Sequence, residues 1–186
     1  MSKQKWVQKN LRKELYLDPL TNLYNRRVLK DLLIDKVQSM VMAGHMTAMI
    51  GLDANKFKQI NDSYGHQKGD EALCHIANCM RKCTRSFDYC IRIGGDEFLI
   101  IAFDINHGDM QSIIQRLDEY IAMTSVQEIG IEVHATVVGS LIYSDENFDQ
   151  AFKRVDDLLY ANKKRNGKSG SVGMASPTGF EPVSKT

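Results

Sequence analysis

The sequence predicts an α+β fold: a ferredoxin-like βαββαβ core with a central antiparallel sheet and surrounding helices. Three observations carry that prediction. Residues 46–52 form a continuous, uncharged apolar run, as a buried strand does. Two short apolar stretches flank Gly94-Gly95-Asp96-Glu97, as in a hairpin. Segments of helical periodicity fill the intervals between strands and follow the last of them.

In chain order, Trp6, Val7, Leu11, Leu15 and Tyr16 fall at near-helical intervals, so residues 1–17 are expected to be an N-terminal helix or stalk. From Asn25 to Ala43, Val28, Leu29, Leu32, Leu33, Val37, Met40 and Val41 predict an amphipathic helix that Gly44 stops. After the strand at 46–52, Ala72, Leu73, Ile76, Ala77 and Met80 predict a helix over 68–85. The hairpin spans 89–103. Ile113, Ile114, Leu117, Tyr120 and Ile121 predict a helix over 109–124. Ile131, Val133, Ala135 and Val137 alternate with polar residues, the period of a strand. A final helix covers 148–164. The domain is expected over 18–170, with a flexible tail from 171 to 186 that carries Pro177 and Pro182.

A chain of 186 residues suits one domain with a sizeable core. Its formal charge of +1 offers no general attraction for a nucleic acid polymer or a membrane surface. No stretch approaches the roughly 20 apolar residues needed to span a bilayer. The first residues have no apolar core of a secretory signal. A cytoplasmic protein without membrane insertion is expected. Four cysteines, Cys74, Cys79, Cys83 and Cys90, include two that stand with His75 at i, i+4 and i+8. No C-x-x-C pair completes a zinc site, so they read as reduced core residues.

Taken alone, Asp96-Glu97 at a hairpin tip is either a solvated acidic turn or half of a cation site. Topology favours the second. A right-handed crossover makes the first two strands parallel, with the third antiparallel between them. The end of the first strand, Asp53, and the hairpin tip then share one sheet edge. Carboxylates distant in sequence converge there, as Mg²⁺ requires, and the Ala54 carbonyl can add a backbone ligand.

Three motifs sharpen this reading: Asp18-Pro19-Leu20-Thr21-Asn22-Leu23-Tyr24-Asn25-Arg26-Arg27, the stretch from Gly51 to Asp70, and Gly94-Gly95-Asp96-Glu97-Phe98. In this order they resemble the GGDEF family of diguanylate cyclases, with a palm-type core, over about Asp18 to Lys168. The resemblance implies condensation of two GTP into cyclic di-GMP. The 3′-hydroxyl of one GTP attacks the α-phosphate of the other, expelling pyrophosphate, on Mg²⁺ or Mn²⁺ held by Asp53, Ala54, Asp96 and Glu97. It assigns the guanine to Asn61 and Asp70 and the phosphates to the turn at Phe57 and Lys58, beside Gly94 and Gly95. Adenine lacks the paired donors that Asp70 would accept from.

The family's closing motif resembles Asp156 to Lys168, with one extra residue here. Matching from Tyr160 gives Lys163 the phosphate role; matching from Gly167 gives it to Lys164, with Lys168 second. Lys164 and Lys168 are the expectation. Arg85-Ser86-Phe87-Asp88 resembles the family's product-inhibition site, with Arg92 added. Asn55 stands where the family usually has Asp. Turnover would require a homodimer, each copy presenting one GTP to the other. The alternative is a non-catalytic receptor of GTP or cyclic di-GMP; a cyclase acting on a single nucleotide is a third reading, disfavoured by Asp70.

Overall fold

The computed structural model describes residues 15–165. The expected N-terminal helix up to residue 14, Lys168 and the tail at 171–186 lie outside the described residues. Among the described residues a five-stranded sheet runs in the order β1-β3-β4-β2-β5. Its strands are β1 (Tyr24–Asn25), β2 (Thr47–Ala54), β3 (Tyr89–Arg92), β4 (Glu97–Phe103) and β5 (Ala135–Leu141). The helices are α1 (Ile34–Met42), opened by a π turn at Leu29–Leu33, then α2 (Phe57–Tyr64), α3 (His66–Cys83), α4 (His107–Ile129) and α5 (Phe148–Arg165). The α+β core of the sequence prediction is present, with β2 central and antiparallel to both β4 and β5.

Period-two alternation divides the sheet between two apolar clusters. Ala48, Ile50, Leu52 and Ala54 of β2 join Phe98, Ile100 and Ala102 of β4 against α3 and α4. Met49, Leu99, Ile101 and Phe103 face the other way, against α1 and α5. Asp53 and Glu97 continue the Met49 and Leu99 series, so both carboxylates fall on the α5 side.

Four differences from the sequence reading have physical causes. The last strand starts at Ala135 rather than 131. Ile131 and Val133 are buried as their alternation predicts, but β2 ends at Ala54, opposite Ala135, and the Asn55 N–H, donating to the His134 carbonyl at 2.8 Å, closes the pairing. Helix α2 has no counterpart among the predicted elements; its residues are mostly polar and only Ile60 is buried. β1 is two residues long and pairs parallel with β3. The hairpin turn holds three residues, Gly94 to Asp96, because the Ile93 N–H donates to the Glu97 carbonyl at 2.9 Å.

No described helix is long and apolar enough to cross a membrane. The cysteines pack as core: Cys79, Cys83 and Cys90 are buried thiols. His75 is committed to α4, with Nδ1 3.0 Å from Glu128 and Nε2 3.1 Å from the Ile121 carbonyl.

Candidate active site

Asp53 and Glu97 are direct cross-strand partners, and Asp53 is also opposite Thr136 on β5. Opposed residues of an antiparallel pair hold their Cβ atoms about 5 Å apart. Asp96 is drawn to the same point by the Ala54 N–H, which donates to its carbonyl at 3.0 Å. Acids from two distant segments therefore meet at one edge. Beside them Asn55 accepts the Thr136 hydroxyl at 2.7 Å, a neutral bond where an Asp would add charge.

Lys163 completes the cluster. Phe148, Phe152, Val155 and Leu159 form the buried stripe of α5, and Lys163 is the next position on it. Its ammonium makes an ion pair with Asp53 Oδ2, and both residues are buried, at 5% and 3% exposure. Lys164 points away, its ammonium 4.3 Å from the centre of the Tyr160 ring on the exposed face. The structure thus places Lys163, not the expected Lys164, beside the acids. Matching from Tyr160 keeps Lys163 on the buried stripe of α5. That stripe is visible in the sequence and sets Lys163 apart from the exposed Lys164.

The acids remain short of positive charge. Burial, then the neighbouring charges of Asp53 and Asp96, push the Glu97 carboxyl up to about 7, while Lys163 acts against the rise. Among the described residues no group of three or more His, Cys, Asp or Glu side chains is gathered closely enough to hold a metal ion. In kind the donors, carboxylates and a peptide carbonyl, are those a hard divalent cation takes, but the Lys163 ammonium stands at Asp53 Oδ2.

The Asn61 side chain lies over α3 at Gly69. A Cβ there would come within 1.9 Å of Asn61 Oδ1 and 3.3 Å of the Phe57 ring. Gly69, absent from the sequence assignment, thus makes room for Asn61 beside the exposed Asp70. Gly65, at φ +83, turns the chain between α2 and α3. Lys56, at φ 55, turns it into α2, at whose first turn Phe57 and Lys58 sit. The N–H groups of a first helical turn have no intrahelical acceptor and suit phosphate oxygens.

The second group of expected residues divides. Asp88 Oδ2 accepts the Arg85 N–H at 2.8 Å, while its Oδ1 is buried without a hydrogen-bond partner. Burial raises the Asp88 pKa against that bond and the Arg85 charge. Arg85 borders two cavities. One, of about 240 Å³, lies between α3 and α4 with Lys82 and Arg116 on its wall; the other, of about 380 Å³, holds Asp88 and Arg81. Arg116 escaped the sequence reading because a single arginine on an amphipathic helix carries no motif. Arg92 is placed elsewhere: its guanidinium turns back on the carbonyls of Gly94 and Gly95 and pairs with Asp18 at 3.0 Å.

The chain matches a family model described as "Diguanylate cyclase, GGDEF domain" over residues 15–169. It is 35% identical over 165 residues to the Escherichia coli protein named "Probable diguanylate cyclase DgcJ", covering 86% of this chain and 32% of that one. It thus spans about a third of that relative's length. The coiled coil and GGDEF domain of DgcB from Caulobacter crescentus, in complex with c-di-GMP, superposes with a TM-score of 0.79. There the identity is 23%, with 89% of this chain and 88% of that one covered, a likeness of fold. The GGDEF domain of DgcB alone, also in complex with c-di-GMP, gives 0.74 at 25% identity, covering 82% and 92%.

Proposed function

This chain belongs to the GGDEF-domain family of diguanylate cyclases, and from that membership we propose that it condenses two GTP into cyclic di-GMP and two pyrophosphates. The observation that carries the reading is the cross-strand pairing of Asp53 with Glu97, with Lys163 buried against it. Asn61, seated over Gly69, and Asp70 hold the guanine edge; the Asp70 carboxylate accepts from N1–H and N2–H₂. The backbone N–H groups at Phe57 and Lys58 and the Lys163 ammonium hold the phosphates. Asp53, Glu97, Asp96 and the Ala54 carbonyl hold Mg²⁺ or Mn²⁺. When bound, a divalent cation polarises the α-phosphate and stabilises the attacking and leaving oxygens.

The protein's own part is positional. It presents one α-phosphate to the 3′-oxygen of the GTP on a second copy, related by two-fold symmetry. The P–O bond to the bridging oxygen breaks, pyrophosphate leaves, and the 3′-hydroxyl proton passes to solvent. A second, equivalent step closes the ring.

Product control is proposed at Arg85, Asp88 and Arg116. The unpartnered Asp88 Oδ1 suits a guanine donor edge, and the two arginines suit guanine or phosphate. The extra residue of the closing motif favours the non-catalytic alternative, and Lys163 beside Asp53 weighs against it. Incubation with GTP and Mg²⁺, followed by nucleotide separation, tests the proposal. Cyclic di-GMP supports it, unchanged GTP favours a receptor, and a cyclic mononucleotide favours a single-nucleotide cyclase.

A further inference from the structure

We propose that Lys82 is a further arm of the product site, a cation that receives a phosphodiester of cyclic di-GMP beside Arg116. The inference rests on the assignment of Arg85, Asp88 and Arg116 to product control. It adds a residue that lies outside the Arg85–Asp88 motif, on the helix before it.

Lys82 stands in the last turn of α3 and borders the cavity of about 240 Å³ with Arg85 and Arg116. Among the described residues on that wall three cations face one acid, Asp109, a balance that suits an anion. The Lys82 ammonium is held in place by α4. It donates to the Tyr120 hydroxyl at 3.2 Å and to Glu128 Oε1 at 3.3 Å, and lies 5.2 Å from the centre of the Tyr120 ring. Glu128 is itself fixed by the buried His75, whose Nδ1 is 3.0 Å away. The Tyr120 hydroxyl and then Glu128 hold the Lys82 pKa above the ordinary lysine value, which keeps the charge in place. An ammonium has three N–H donors. Two are used in these bonds, and among the described residues the third has no acceptor.

The base belongs on the other side of Arg85. Asp88 lines the second cavity, of about 380 Å³, and its Oδ1 is buried without a hydrogen-bond partner. A guanine edge offers that oxygen the N–H donors it lacks. Arg85 borders both cavities, so a ligand that satisfies Asp88 and also reaches Lys82 must carry a base and an anion across one arginine. A guanosine phosphate has that form. Its phosphate oxygens take the free N–H of Lys82 while Glu128 and Tyr120 keep the other two.

The test is calorimetric titration of cyclic di-GMP into the 186-residue chain, as wild type, Lys82→Met and Lys82→Arg, at low and at high salt, with a melting curve of each. Lys82→Met keeps the stem against Tyr120 and removes the charge. It is expected to weaken cyclic di-GMP binding about fivefold at low salt, and less at high salt, where an exposed cation is screened. Lys82→Arg keeps the charge and is expected to bind within about twofold of the wild type. A lysine that only clasps α3 to α4 would lower the melting temperature of Lys82→Met and leave the affinity of the folded variant unchanged. That result overturns the phosphate role while the product site stands. If the wild type itself binds no cyclic di-GMP, the product site fails and the inference falls with it.

Discussion

Arg92 pairs with Asp18 at 3.0 Å while its remaining nitrogens hold the carbonyls of Gly94 and Gly95. One guanidinium therefore ties the turn carrying Asp96 to the loop at Asp18. Burial would raise the Asp18 pKa, but bonds from Thr21 and Arg92 outweigh it and hold it below the usual value. The contribution is present above the unfolded pKa and lost as pH falls through the folded one.

Removing that clamp should loosen the turn. Arg92→Ala is expected to cost about 1–3 kcal/mol of stability and to lower GTP turnover. Arg92→Lys restores the charge but not the fork, so rescue should be partial. Denaturant unfolding with steady-state kinetics checks both.

Gly69→Ala tests nucleotide seating. Its new Cβ, 1.9 Å from Asn61 Oδ1, must push the amide aside. The KM for GTP is expected to rise about tenfold or more, with a smaller change in discrimination against ATP than Asp70→Ala produces. Substrate titrations of both variants measure this.

Glu97 makes the metal-free protein pH-sensitive. Its folded pKa, about 7, lies above the ordinary 4.5. The folded state holds the extra proton between those values, so this contribution to stability is full below 4.5 and is lost as pH rises through 7. Melting temperature in chelator should therefore fall from pH 5 to pH 8, and Glu97→Gln should flatten that fall. Binding of a cation expels the proton, so metal affinity should climb over the same interval and level off above about 7.

The product site predicts a different separation. Arg116→Ala and Asp88→Asn should each weaken cyclic di-GMP binding by about tenfold or more, while initial turnover at low product is retained. Calorimetric titration with cyclic di-GMP, beside initial-rate measurements, distinguishes this from a general loss of folding.

The sequence made legible what period and spacing encode. The apolar run that opens β2, the stripe of α3 and the two arms of the hairpin were readable because each buries a continuous apolar face. From them the meeting of Asp53 with Glu97 followed by topology alone. β5 was harder. Val138-Gly139-Ser140 looks like turn sequence, yet it forms an edge strand on which α4 packs so closely that a Cβ at Gly139 would be 3.0 Å from Ile114 Cδ1. Gly69 and Arg116 were not legible, because each acts through a neighbour on another helix. The burial of Lys163 was legible in principle, because the apolar stripe of α5 runs into it.

The most direct measurement of the central claim is pyrophosphate and cyclic di-GMP release from GTP and Mg²⁺ by the wild type, Asp53→Asn and Glu97→Gln, with melting curves of all three. The wild type should release two pyrophosphates per cyclic di-GMP, and both variants should fold yet release neither. Turnover in a folded Asp53→Asn or Glu97→Gln variant equal to wild type, or a wild type that leaves GTP intact, would contradict it.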